Sequence, residues 1–401
     1  MTESAYVDAL ARLTAGAGIA ATEGQIVVVS ATLGQEEIAR AIAGACYDRG
    51  AQYVEVNYAD PQLRRTRLTR ASEQALGTIP PWTRRKMLDV EEAGGATIAL
   101  SGPVAPRLLD DVDPALIGRD RVSIPEAMEV VSRQKLRWTV VPGPTPDWAA
   151  MVLGDDEPDA LSRLWDQIAR ICRLDSDDPV QAWRERGAEL SRMAGRLQEA
   201  RLDSLHFAGP GTDLTVGLLP GTRWDGGGTT SSEGVGYLPN IPTEEVFTSP
   251  DPERTHGMVA STRPLLVSGR TVSGLRIRFE GGRAAEIDAD DGADLIRELV
   301  AQDENGARLG EVALVDSASR VGESGLVFHD TLLDENAASH VALGFGFSHL
   351  ADDERSAERV NVSGIHTDFM IGGPEVEVTA TTRDGREVPV LQRQDWALAA
   401  H

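Results

Sequence analysis

Cysteine is nearly missing from this chain. Its two thiols, Cys46 and Cys172, stand far apart and each sits inside a helical pattern, which argues against a disulfide framework or a thiolate metal site. Long apolar runs are missing too. None approaches the roughly 20 residues that span a bilayer, so a membrane protein is not expected. Basic residues are outnumbered, 39 Lys and Arg against 63 Asp and Glu, for a formal charge of -24. Phosphate binding depends on clustered cations, so nucleic acid is not an expected partner, and a negative charge this diffuse fits simple solubility. The opening residues MTESAYVDALARLTAGAG carry neither a basic leader nor a long apolar core, and a cytoplasmic location is expected. No G-x-G-x-x-G follows the first strand pattern, where a dinucleotide would need glycines, and no nucleotide is inferred. Repeats and low-complexity segments are also lacking.

What is present reads as two domains. At 401 residues, 41% hydrophobic and 25% charged, the chain exceeds the roughly 250 to 300 residues at which single cores stop growing. From residue 21 onward, short β-branched runs alternate with amphipathic segments: QIVVVSA (25–31), QEEIARAIAGACYDRG (35–50), QYVEVNYAD (52–60), GATIALSG (95–102), a helical pattern from Ile124 to Leu136, RWTVVPGP (137–144) and a helix over 160–174. This alternation predicts an α/β domain with a parallel, layered sheet over residues 1–203. A helix over 178–202, with Asp178 and Pro179 suited to its N-cap and first turn, marks the boundary. Beyond it, residues 204–401 are rich in strands and glycine, with EGG and RDG turns between alternating runs and a helix at 293–302. An α+β, mainly antiparallel domain is predicted there.

Four stretches of that second region carry isolated ionisable groups among apolar neighbours. In NIPTEEVFTSP (240–250), Glu244 and Glu245 are adjacent, so in extended chain only one can enter a site while the other faces away. In GEVALVD (310–316), Glu311 opens a strand with Ala313 and Val315 on its face. In DENAASHVALGFGF (334–347), a strand reading puts His340, Ala342, Gly344 and Gly346 on one face, so that the imidazole looks into space cleared by small residues. In VSGIHTDFMIGG (362–373), His366 and Asp368 share a face. Each alone is compatible with an ordinary structural role. Together, two histidines and several carboxylates on neighbouring strands form a hard, oxygen-rich set of the kind that holds Zn, Co, Mn or Fe, since burying so many acids without a cation is prohibitive.

In order and spacing, these four motifs resemble those of the aminopeptidase T and aminopeptidase S metallopeptidase family, and the resemblance extends over essentially the whole chain. It implies a cytoplasmic, homodimeric enzyme with two divalent metal ions (Zn, Co, Mn or Mg) in an internal cavity, removing single residues from peptides with a free N-terminus. Carried over by motif, the implied metal ligands are Glu245, Glu311, Glu335, His340, His366 and Asp368. Glu311 is the matched candidate for a carboxylate lying against both metals and shuttling a proton, and Glu244 is a second candidate for the base because it adjoins a ligand. One position departs: similar enzymes commonly place a Tyr seven residues after the first His, and Phe347 stands there, without a hydroxyl to offer an oxyanion.

That departure leaves two alternatives. His340, His366 and Asp368 alone match the 2-His-1-carboxylate arrangement of Fe(II) oxygenases, and ring-cleaving dihydroxypyridine dioxygenases also resemble this family. A non-catalytic metal-binding protein is the other. Among the remaining candidates, His206 and Phe207 are expected in core and sheet edge, and Trp224 and Asp225 near the pocket mouth. His349, just beyond Phe347, is expected at the surface, with an approach to the cluster as the alternative, while His256 and His329 stay unassigned.

Overall fold

The computed structural model describes residues 2–120 and 133–398; most of the helix expected over Ile124–Leu136 lies outside the described residues. The first part of the chain builds a four-stranded parallel sheet. Its strands stand in the order Tyr53–Ala59, Ile26–Thr32, Ala96–Ser101, Arg137–Pro142. Val27, Val29 and Ala31 point from the second of these into one hydrophobic cluster with Leu10 and Leu13 of the helix Glu3–Leu13, Ile38 and Ile42 of Glu36–Asp48, and Trp165 and Ile168 of Ala160–Ile171. Covering the sheet with helices satisfies both layers, as expected for parallel strands. The helix expected over 178–202 runs over Pro179–Glu199, and the carboxylate of Asp178 caps it by accepting from the Gln181 amide at 3.0 Å.

The second part is mainly antiparallel. One sheet has eight strands, in the order Arg283–Asp288, Arg276–Glu280, Pro250–Ala260, Thr212–Leu218, Leu202–Gly209, Glu377–Thr382, Glu387–Gln392, Asp395–Trp396. The expected EGG hairpin is there, with Glu280 opposite Arg283 and both turn glycines, Gly281 and Gly282, at positive φ (54° and 79°). A second sheet has five strands, in the order His366–Met370, His340–Gly344, Leu309–Val315, Glu245–Thr248, Asp225–Gly226. Val246, Val312, Leu314, Val341, Leu343 and Phe369 leave one face of it to join Leu205, Phe207, Val259 and Ile277 of the larger sheet in a second core. The opposite face of the five-stranded sheet is therefore free to carry polar groups. Among the described residues no helix is long and apolar enough to cross a membrane.

The two parts are fastened together close to that polar face. Ile241, Phe328, Leu333 and Ala337 pack into the first core, and the Trp148 indole donates to the Phe328 carbonyl at 2.6 Å. Asp330 accepts from the Ser101 hydroxyl at 3.2 Å and the Gly102 amide at 3.0 Å, tying the segment before Glu335 to the end of a parallel strand. A buried ion network adds a third tie. Arg186, from the helix Pro179–Glu199, donates to Glu244 and to Asp316, both at 2.7 Å, while Arg173 donates to the other Glu244 oxygen at 2.7 Å. The Trp396 indole completes it by donating to Asp316 at 2.7 Å.

Removing one member of a buried network leaves its partners charged and poorly solvated. Arg186→Met is expected to cost about 3 kcal/mol, read as a thermal midpoint lower by roughly 5 °C. An unchanged midpoint in a melting curve would contradict the view that this network fastens helix to sheet.

Candidate metal centre

The antiparallel register sets the expected ionisable groups in rows. Ala342 lies directly between Glu311 on one neighbouring strand and Asp368 on the other, Gly344 lies opposite His366, and His340 opposite Ala313. Directly opposed residues share a sheet face. On the next strand Glu245 pairs with Val315 and Phe247 with Ala313, so Glu245 joins the same face. Ala342 and Gly344 therefore sit as small residues beside the larger ligating types. Gly344 is also required by its backbone, since φ is +100° and a Cβ would lie 2.1 Å from the Ile365 carbonyl oxygen.

Two triplets of donor atoms converge on that face: Glu245, Glu311 and His340 form one, Glu311, His366 and Asp368 the other, with the donors of each within 4.8 Å of one another. Glu311 is common to both. His340 Nε2 lies 3.0 Å from Glu245 Oε2, and His366 Nε2 lies 3.1 Å from Glu311 Oε2 and 3.3 Å from Asp368 Oδ1. Glu335 belongs to neither triplet. It precedes His340 in a short turn, Glu335–Ala337, lines the same cavity, and receives a contact from the Asn240 amide at 3.4 Å.

Three features fit these residues to cations. Ions bound at about 2.1 Å hold neighbouring ligands about 3 Å apart, the separation that the Nε2 and carboxylate atoms already have. Glu245 Oε2 is buried with no hydrogen-bond partner, although His340 Nε2 is so near. Each imidazole also turns its Nδ1 to a backbone carbonyl, His340 to Ala338 at 3.2 Å and His366 to Phe345 at 2.9 Å. A carbonyl can only accept, so Nδ1 carries a proton and Nε2 is the nitrogen left to ligate a cation among the carboxylates, the orientation that metal-ligating histidines take.

Without cations the same groups must hold protons instead. Burial, opposed in part by His366, pushes the Glu311 carboxyl up to about 7. Burial and the charges of Asp368 and Glu245 raise Glu335 well above the usual carboxylate range. Burial works against a charged His340, yet Glu245, Asp368 and Glu311 outweigh it and push the imidazole up to about 10. His366 is likewise raised by Asp368 and Glu311 against its burial. Asp368 is lowered because His366 and His340 overcome the effect of burial.

A cavity of about 550 Å³ opens onto the cluster. Its other walls are largely apolar, from Trp138 and Val140 of the parallel sheet to Tyr237, Leu266, Phe247 and Phe345. Asp225 lines it as expected near the mouth, whereas Trp224 packs against the second core. Phe207 is fully buried in the core as expected, whereas His206 is half-buried, pairs with Asp213 at 2.8 Å and lies not at a sheet edge but on an interior strand, opposite Thr215 and Thr379.

Two further expectations are corrected. Glu244 is no base for this cavity: its side chain is fully buried on the opposite side of the strand start, and both oxygens are held by Arg173 and Arg186. Strand alternation had required one of the two glutamates to turn away, and the arginines decide which. His349 is not a surface histidine. The chain turns sharply through Ser348–Leu350 and brings its ring back to the cavity wall against Phe347. Trp138 and Tyr237 were not foreseen as cavity residues, because the pattern of their segments gives only strand and loop.

The chain is 39% identical over 399 residues to Aminopeptidase T of Thermus aquaticus, covering 97% of this chain and 98% of that one. It is 36% identical over 403 residues to Aminopeptidase 2 of Geobacillus stearothermophilus, covering 98% and 97%. The solved structure of wild-type AmpT from Thermus thermophilus superposes with a TM-score of 0.86 at 36% identity, covering 98% of each chain. The family model described as thermophilic metalloprotease (M29) matches residues 4–396, and the chain belongs to that family.

Proposed function

We propose that the chain is a metal-dependent aminopeptidase that hydrolyses the N-terminal bond of peptides with two divalent ions held beside Glu311. One observation carries the reading: two donor triplets share a single buried carboxylate on the wall of a largely apolar cavity. Glu245, Glu311 and His340 would hold one ion, and Glu311, His366 and Asp368 the other. Charge supports the number. The four carboxylates of Glu245, Glu311, Glu335 and Asp368 balance two dications, whereas one would leave a buried excess of negative charge. Bound there, such ions supply polarisation of the scissile carbonyl and a water with its pKa lowered toward neutrality.

The chain's own groups do the rest. Glu311 lies in both triplets and is committed to holding the centre. Glu335 belongs to neither triplet, is buried at the same wall, and makes one long contact with Asn240, so it is the carboxylate with an oxygen to spare for the proton of the attacking water. Trp138, Val140, Tyr237 and Leu266 receive the apolar part of the substrate and exclude water. The proposal includes the homodimer and the cytoplasmic setting expected from the sequence. The mononuclear oxygenase alternative has no support: the relatives are aminopeptidases, and Glu245, Glu311 and Glu335 crowd the His340, His366 and Asp368 trio.

Two measurements test this. Glu335→Gln should keep two ions per chain by elemental analysis and lower kcat on a leucyl peptide by at least about a hundredfold; loss of metal would instead place Glu335 among the ligands. Metal uptake requires neutral imidazoles and ionised carboxylates, while the metal-free site holds His340 and His366 protonated at pH 7. Titration calorimetry at pH 7 in buffers of different ionisation enthalpy should therefore show release of roughly two or more protons per chain, with affinity falling as pH falls. A binding enthalpy independent of buffer would contradict it.

A further inference from the structure

His349 is an imidazole without an assignment in the cavity. The ring lines the cavity, and its buried Nδ1 has no hydrogen-bond partner. Buried polar atoms are nearly always paired, so an unpaired one on a residue of the cavity wall points to a ligand that would engage that ring. The ring is held nonetheless. It packs at 65° against Phe347 with centroids 5.7 Å apart, and its backbone carbonyl accepts from Arg223 at 3.0 Å. Burial and the nearby Arg223 charge push the imidazole down to about 4, so at neutral pH it is uncharged, with one nitrogen donating and the other accepting.

Its place fixes what it can reach. Phe347 packs against both imidazoles, with centroids 5.6 Å from His366 and 5.7 Å from His349. His366 belongs to the proposed metal centre. His349 lies toward the outside, where Arg223 is exposed and pairs with Asp352 at 3.4 Å. An extended peptide advances about 3.3 to 3.6 Å per residue, so a group one aromatic ring beyond the centre meets the chain about one or two residues past the scissile bond. A peptide backbone offers both a carbonyl and an amide there, which is the pair that a neutral imidazole can match.

We propose that His349 is a substrate-contacting residue whose imidazole hydrogen-bonds the peptide backbone on the leaving side of the scissile bond. The inference rests on the aminopeptidase reading above. It also gives Phe347 a role without a hydroxyl, as the ring that spaces the two histidines. The enzyme then favours peptides over aminoacyl amides, because only a peptide extends far enough to satisfy His349.

The test compares Leu-Gly-Gly with leucinamide, which ends at the scissile bond, using the metal-loaded wild type, His349→Ala and His349→Gln. For His349→Ala, kcat/KM on Leu-Gly-Gly should fall about tenfold to a hundredfold, as for loss of one hydrogen bond to an otherwise unpaired buried group. On leucinamide it should change less than about threefold. His349→Gln, which keeps a donor and an acceptor, should recover most of the tripeptide activity, and both variants should keep the wild-type metal content and thermal midpoint. An equal loss on both substrates, or no loss on either, overturns the inference alone. A metal-loaded wild type that hydrolyses neither substrate overturns the aminopeptidase reading and this inference with it.

Discussion

Three carboxylates and two imidazoles on one face of a sheet, with a fourth carboxylate, Glu335, beside them in a turn, most of them out of reach of water, form the constraint on which the rest of this structure depends. Such a set repels itself and is poorly solvated, so it persists only with protons or cations among its members. The raised positions of Glu311, Glu335 and both histidines describe the proton-filled state, and the convergent Nε2 and carboxylate atoms describe what cations would find. Everything next to the cluster accommodates it. Ala342 stands between Glu311 and Asp368 where a larger side chain would fill the space, and Gly344 lets the backbone pass Ile365. The other face of the same strands is largely apolar and locks the sheet in the second core.

Holding the cluster needs support from outside the sheet. Glu245 is placed by its neighbour: Arg173 and Arg186 hold Glu244 on the far side, and strand alternation then turns Glu245 inward. The segment leading to Glu335 and His340 is fastened to the first part of the chain through Trp148 and through the Asp330 contacts with Ser101 and Gly102. The parallel sheet thus does more than close the cavity with Trp138 and Val140. It sets the position of the chain on which two of the six groups ride.

Much of this was legible in the sequence. Alternating β-branched runs and amphipathic segments gave the parallel layer, and the EGG turn gave a hairpin with its two glycines at positive φ. Period-two alternation placed His340 with Ala342 and Gly344, and His366 with Asp368, because a strand has only two faces. What alternation cannot say is which face meets which neighbour. The partners of Glu244 lie 58 and 71 positions away, and nothing local in NIPTEEVFTSP announces two arginines. His349 was misplaced for a similar reason, since five residues beyond the strand a sharp turn, not a period, decides where a side chain goes. The polar, arginine-rich helix Pro61–Arg70 buries only Leu68 and so left almost no apolar stripe to read.

The most direct test of the account is a crystal of the metal-loaded protein measured at the absorption edge of the bound metal. The account predicts two anomalous peaks per chain, one among Glu245, Glu311 and His340 and one among Glu311, His366 and Asp368, about 3.5 to 4 Å apart with Glu311 touching both. A single peak bound by His340, His366 and Asp368, or no peak on this face of the sheet, would contradict it.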